Sequence, residues 1–133
     1  MAEVGLESVS ERIRELYKKG LAAFEHGNLD YAIDLFSHCV EMEPALLQAR
    51  KYLRTAEIRK FLKDGKGAMA HNISSATGMP SYFKTMAQIK SGKAEQAVVS
   101  AEKLLRKDPL NKKFVMAFVQ AASAAGLPEE AIH

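Results

Sequence analysis

The chain has 133 residues, of which 47% are hydrophobic and 26% charged, and its formal net charge is +3. This length suits about one domain, and the composition excludes a disordered chain. A single cysteine, Cys39, excludes an intrachain disulfide. No apolar run approaches the roughly 20 residues that cross a bilayer, and the N-terminal sequence is not a secretory signal. We therefore expect a cytoplasmic protein without a membrane partner.

The first predicted helix runs from about Val9 to Glu25, and it turns back on a second helix. Ser8 and Glu11 form a capping-box pattern at its start. Gly20 lies in the middle of the helix, where a glycine indicates the close approach of another helix. Gly27 suits the left-handed position that follows a helix end.

The second and third helices are predicted at about Asp30–Met42 and Ala45–Leu62. Pro44 separates them, because proline has no amide hydrogen for a continuing helix. The next stretch, residues 64–79, is rich in glycine and serine and has no sustained hydrophobic period. It predicts a linker or an irregular loop.

Three further helices are predicted at about Pro80–Lys90, Ala94–Lys107 and Leu110–Ala124. Pro80 suits the first position of its helix, where its missing amide hydrogen is not needed. A truncated seventh helix begins after Gly126. We expect a hairpin with a capping helix over residues 8–63, a linker over 64–79, and a second hairpin with a following helix over 80–133.

An internal repeat underlies this outline. Gly92 and Gly126 are 34 residues apart, and three residues of the first hairpin align with three of the second: Gly27 with Gly92, Ala32 with Ala97, and Pro44 with Pro109. The block resembles the tetratricopeptide repeat, which has a period of 34 residues in a helix–turn–helix. The resemblance implies an all-α fold in which antiparallel hairpins stack as a short right-handed superhelix of six helices and a truncated seventh.

The resemblance also implies a concave groove that is lined by the first helix of each hairpin. The groove positions correspond to four residues: Tyr17, Leu21, Tyr82 and Met86. Tyrosine and methionine are favoured at adaptable binding surfaces, although the same four residues also suit packing between helices. Some family members grip a terminal carboxylate with Lys and Asn on this face. Tyr17 and Leu21 occupy those positions here, so a more apolar peptide or helix is the expected ligand.

The third helix carries a basic face: Arg50, Lys51, Arg54 and Arg59, followed by Lys60 and Lys63. This face is interpreted first as solvated, second as a site for an acidic partner, and last as a nucleic-acid site. The four histidines have no metal-ligand spacing, and Cys39 is expected to be a buried, inert thiol. We predict no catalytic residues, no metal and no cofactor.

The expected function is that of a protein–protein interaction module, which binds a peptide or helix of a partner in its groove. The first alternative is a structural module that associates with itself as a homo-oligomer. The second is a non-catalytic domain of a larger enzyme or regulator, since the last predicted repeat breaks off at His133. Nucleic-acid binding is the least favoured alternative.

Overall fold

The computed structural model describes residues 5–64 and 68–128, and all regular structure in these ranges is helical. A short 3-10 turn, Leu6–Ser8, precedes six α-helices: α1 Glu11–Glu25, α2 Leu29–Met42, α3 Leu47–Lys63, α4 Ala68–Lys90, α5 Ala94–Lys107 and α6 Lys112–Ala124. The all-α prediction is confirmed. The predicted seventh helix falls on residues that lie mainly outside the described ranges. None of the described helices has the length and apolar character that a membrane span requires.

The described residues form two compact units. The first unit ends at Lys60 and also includes Leu127 and Pro128, and the second runs from Phe61 to Gly126. In the first unit, α1 packs against α2, and one face of α3 belongs to the same core. In the second unit, α4, α5 and α6 all pack against one another.

The turn between α1 and α2 is built as the sequence predicts. Gly27 has a φ of +77°, a backbone conformation in which other residues are strained. The Asn28 amide donates to the Ala23 carbonyl over 2.9 Å. The Asn28 side chain then accepts from the Tyr31 amide and caps α2. Local chemistry therefore closes this hairpin.

The start of α1 differs from the prediction. Ser8 lies in the 3-10 turn, and α1 begins at Glu11, two residues later than expected. Ser10 is the N-cap residue, and its hydroxyl accepts a hydrogen bond from the Ile13 amide over 3.3 Å. The capping box of Ser8 and Glu11 is therefore wrong. Either serine satisfies the local rule for an N-cap.

An aromatic cluster, which we define as Tyr17, Phe24, Phe36 and Tyr52, extends from the core of the first unit to its surface, where Tyr52 is 36% exposed. The ring of Tyr52 stacks on Phe36 with centroids 5.6 Å apart and an interplanar angle of 19°. Tyr17 and Phe24 meet Tyr52 edge to face, at 6.2 and 5.5 Å. The cluster joins all three helices of the unit, because α1 supplies two rings and α2 and α3 supply one each.

The predicted linker is wrong, because α4 is a continuous helix across most of it. The helix runs from Ala68 to Lys90 with Pro80 in its interior. A proline there leaves the carbonyl four residues earlier, that of Ala76, without its helical donor. Both Pro80 and Ala76 are exposed, so water has access to this region of the helix. Packing of α4 against α5 and α6 stabilises a helix that its sequence alone does not favour.

The two units share one layout. The two hairpin turns, Gly27 and Gly92, are 65 residues apart, and the same offset relates α2 to α5 at both ends and the first residue of α3 to that of α6. Glu43 and Asp108, also related by this offset, each accept a hydrogen bond from the amide two residues later. Each unit is therefore a helix, a three-residue turn, a helix, a four-residue turn and a third helix.

Side-chain sizes are exchanged between related positions of the two units. In the first unit Gly20 faces the large ring of Phe36. The corresponding positions of the second unit hold Thr85 and Ala101, both fully buried. A larger residue on the first helix thus accompanies a smaller one on the second, which keeps the packed volume similar.

Gly78 and Phe114 show the same exchange between the first and third helices of the second unit. A Cβ at Gly78 would overlap the ring of Phe114. The corresponding residues of the first unit are Ile13 and Ala49, both in its core. Gly78 therefore allows α4 to lie close to α6.

Candidate functional site

The rotation of α4 within the second unit is fixed by two contacts. Gly78 packs on Phe114 of α6. Gln88 accepts a hydrogen bond from the Ser100 hydroxyl of α5 over 2.8 Å. Since successive helical residues are about 100° apart, Met86 and Phe83 lie on the side of α4 that faces away from α5.

We call the surface formed there the α4–α6 face and define it by four residues: Tyr82, Phe83, Met86 and Lys113. Met116 lies further around α6, one turn after Lys113, and flanks this face. The two tyrosine contacts organise it. The ring of Tyr82 meets Phe83 edge to face with centroids 5.7 Å apart. The Lys113 ammonium lies 5.4 Å from the centroid of the same tyrosine ring, within the range of a cation–π interaction.

The α4–α6 face leaves large apolar groups in contact with solvent. Phe83 is 62% exposed and Met116 is 53% exposed, while Tyr82 and Met86 are half-buried. Aromatic and methionine side chains are the types enriched at protein interfaces. These side chains are carried by packed helices and not by a loop, so their positions on the surface are fixed. This arrangement suits contact with an apolar surface of another molecule.

The charged side chains of α4 and α6 are all of one sign. The two helices carry Lys84, Lys90, Lys112 and Lys113, and neither contains an aspartate or a glutamate. Carboxylates of the second unit lie elsewhere, as Glu95 does on α5. Lys113 belongs to the α4–α6 face and Lys90 falls on the same side of α4 as Phe83 and Met86, whereas Lys84 is on the opposite side. The face is therefore apolar in composition and positive in charge.

Of the two predicted groove residues of the first unit, Tyr17 lies in its core and Leu21 packs against that core. Tyr17 is only 6% exposed and belongs to the aromatic cluster. Burial raises the pKa of its phenol, and the neighbouring Tyr52 and Cys39 raise that pKa further. Leu21 is half-buried against the same core. For Tyr17 the structure favours the packing alternative, and the binding role of the four residues stays a prediction.

The predicted basic face of α3 is corrected in part, because Arg50 is not on the surface. Arg50 is 3% exposed, and its Nη1 donates a hydrogen bond to the Pro44 carbonyl, across the turn between α2 and α3. Arg54 forms an ion pair with the buried Glu57. These two cations stabilise the fold and are not displayed as a continuous patch.

The other cations of α3 are nearer to solvent. Lys51 is exposed. The Arg59 guanidinium lies 4.7 Å from the centroid of the Phe24 ring. Lys60 is paired with Asp30 of α2 over 2.7 Å. Because four of the helix's cations, Arg50, Arg54, Arg59 and Lys60, interact with the first unit itself, the solvated interpretation of this face is favoured over a nucleic-acid site.

Cys39 is fully buried, as the sequence analysis predicts. Its thiol points to the Ile13 carbonyl with Sγ 3.8 Å from the oxygen. Burial raises the pKa of the thiol from 9.0 to about 11, so it stays protonated near neutral pH. Within the described residues, no group of three His, Cys, Asp or Glu side chains is placed to hold a metal ion.

Of the residues of the α4–α6 face, Tyr82 and Met86 are among the predicted groove residues, whereas Phe83 and Lys113 are not. Phe83 follows Tyr82 directly and lies outside the buried stripe of α4, so the hydrophobic period does not predict a packing role for it. A large aromatic residue outside the buried stripe was the one sequence feature that could have indicated a binding residue. The position of Lys113 beside Tyr82 of α4 follows only from the packing of α6. Comparisons with protein-family models, with curated proteins and with solved structures gave no match.

Proposed function

We propose that this chain is a cytoplasmic, tetratricopeptide-like interaction module, which binds a peptide or helix of a partner protein on the α4–α6 face. The observation that carries the proposal is the exposure of Phe83 beside Tyr82 on a packed helix, with the Lys113 ammonium of α6 against the same tyrosine ring. Exposed apolar groups that cluster on one surface mark interaction sites more often than scattered ones do.

The repeated layout supports the family part of the proposal. Both units have two antiparallel helices, a glycine turn, a second short turn and a third helix. Hairpins of this kind bury their apolar faces by stacking on neighbouring helices, and the helices that remain open provide a binding surface. The 34-residue spacing from Gly92 to Gly126 agrees with the period of the tetratricopeptide repeat.

The chemistry of the face supports a peptide or helix as the ligand. A partner helix contributes apolar side chains at three- and four-residue steps, which fit between ridges of two neighbouring helices. Phe83 and Met116 supply apolar contact, and methionine adapts to partners of different shape. A few such anchors supply most of the energy in protein interfaces.

A photo-crosslinking experiment tests this proposal. The full chain is expressed in its native cells with p-benzoylphenylalanine at position 83, and a matched variant carries it at position 99. Val99 is 37% exposed and lies on α5, away from the α4–α6 face. We expect a defined heterologous polypeptide to crosslink at position 83 and not at position 99. Equal labelling at both positions, or none at position 83, contradicts the proposal.

The same experiment distinguishes self-association. A crosslinked product of two copies of the chain at position 83, together with a dimer in light scattering, assigns the face to a homo-oligomer instead. A monomer at all concentrations, with a heterologous crosslink, supports the interaction module. The mass of the crosslinked product therefore decides between the two functions.

A further inference from the structure

We infer that the segment bound by the α4–α6 face is acidic, with apolar anchors between two carboxylates. This inference rests on the proposed function and assigns the chemistry of the partner. Its first basis is charge: α4 and α6 contain no carboxylate, and Lys113 and Lys90 lie on the side of the helices that carries the face. A partner with Asp or Glu at its rim is attracted to such a surface, while a basic partner is repelled.

Lys113 is the residue with which we expect the first carboxylate of the partner to pair. Its ammonium lies over the Tyr82 ring, 5.4 Å from the centroid, and its side chain is exposed. No carboxylate among the described residues pairs with it. The tyrosine ring lies on one side of the ammonium, and the exposed side chain leaves the ammonium accessible to solvent. A carboxylate from the partner can therefore pair with Lys113 beside the exposed Phe83.

Lys90 is the residue with which we expect the second carboxylate of the partner to pair. It follows Tyr82 by eight residues on α4 and falls on the same side of the helix as Phe83 and Met86. At 1.5 Å per residue, Lys90 lies roughly 12 Å further along the helix axis than Tyr82. Two carboxylates about seven residues apart on a partner helix have nearly the same separation. Apolar residues at the third and fourth steps between them would meet Phe83 and Met86.

A nucleic acid is less well suited to this surface. Neither α4 nor α6 contains an arginine, the side chain whose planar fork binds phosphate with two hydrogen bonds. Phe83 is the one aromatic ring of the face that is mostly exposed, whereas single-stranded nucleic acids are bound on several stacked rings. Met86 and Met116 suit apolar side chains. These observations favour a peptide.

The test uses a fluorescein-labelled, alanine-based helical peptide with Glu at two positions seven residues apart and Leu at the third and fourth steps between them. Two comparison peptides replace both glutamates by Gln or by Lys. Fluorescence anisotropy with the full chain at low ionic strength measures their affinities. We expect the Glu peptide to bind about tenfold more tightly than the Gln peptide, and the Lys peptide to bind least. Equal affinities, or no binding of the Glu peptide, overturn the inference.

Two variants test whether the preference for the Glu peptide arises on the α4–α6 face. Lys113→Glu is expected to abolish the advantage of the Glu peptide over the Gln peptide. Lys84→Glu makes the same charge change on the opposite side of α4 and is expected to preserve most of that advantage. Since both peptides are measured on each variant, a loss of folding reduces both affinities and is separated from a loss of charge recognition. An equal effect of the two variants overturns the inference.

A fluorescein-labelled thymidine oligonucleotide distinguishes the remaining ligand class. Tighter binding of the oligonucleotide than of the Glu peptide, lost in Lys113→Glu, overturns the inference in favour of nucleic acid. The outcome is also separable from the proposed function. A heterologous protein crosslinked at position 83, combined with equal affinity for the Glu and Gln peptides, retains the function and removes the acidic partner.

Discussion

Gly20 of α1 lies directly against the ring of Phe36 of α2. A Cβ at Gly20 would stand 2.8 Å from Cε1 of Phe36, closer than real Cβ contacts. Phe36 itself is fully buried and stacks on Tyr52, so its ring has little room to move. The glycine therefore sets the distance between the two helices of the first hairpin.

Gly20→Ala is expected to lower the free energy of unfolding by up to about 2 kcal/mol, because an overpacking cost of about 1–3 kcal/mol is offset in part by a gain of about 1 kcal/mol in helix propensity. Urea denaturation measures the change. The exposed neighbour Lys19 provides the control, since Lys19→Ala should stay within about 0.5 kcal/mol of the wild type. In a Phe36→Ala background the loss from Gly20→Ala should disappear. If it persists there, the phenylalanine ring is not its cause.

Pro80→Ala is expected to stabilise the protein by about 1–3 kcal/mol, because alanine supplies the amide hydrogen for the Ala76 carbonyl within α4. Thermal denaturation followed by circular dichroism measures the effect. A helix that began at Pro80 would give the opposite result, since proline is favoured at the first helical position. An unchanged or lower stability would therefore contradict the continuous α4.

Arg50→Ala is expected to lower the free energy of unfolding by about 1–3 kcal/mol. The substitution leaves the Pro44 carbonyl without its donor and removes a buried aliphatic chain. Lys51→Ala removes a similar charge at the next, exposed position and should change stability by less than about 0.5 kcal/mol. Chemical denaturation of the two variants provides the comparison. Equal effects would show that Arg50 is not a structural residue.

The Cys39 thiol is expected to make stability depend on pH in alkaline solution. Its pKa rises from 9.0 to about 11 on folding, so the folded chain binds this proton more tightly than the unfolded chain does. The resulting stabilisation is present below pH 9 and is lost as the pH rises towards 11. Urea denaturation between pH 8 and about 11 should show a steeper loss for the wild type than for Cys39→Ala.

Tyr17 must be considered in the same experiment, because the pKa of its phenol is also raised by burial. Because Cys39 contributes to that rise, Cys39→Ala also changes the contribution of Tyr17. The same comparison is therefore repeated in a Tyr17→Phe background, where the difference between the slopes with and without Cys39 reports the thiol. Equal slopes would contradict the raised pKa of Cys39. The matched variant Tyr17→Phe should reduce the loss of stability at the alkaline end of the range.

The sequence by itself determined where most helices end and turn. The α5 helix has the predicted ends, and the turns at Gly27 and Gly92 lie where glycine is needed for a positive φ. These features follow from local chemistry: a cap, a proline or a left-handed glycine acts within a few residues of its own position. The repeat of helices and glycine turns could be recognised in the sequence for the same reason.

Only the tertiary structure decided that α4 continues through Pro80 and that Tyr17 and Arg50 are buried. Each depends on which side of a helix meets its neighbours, and on packing that outweighs local preference. The surface beside Tyr82 was partly predicted, but Phe83 and Lys113 joined it through the rotation of α4 and the docking of α6. Spacing along one helix fixes which residues share a side, whereas the contacts between helices fix which side is covered.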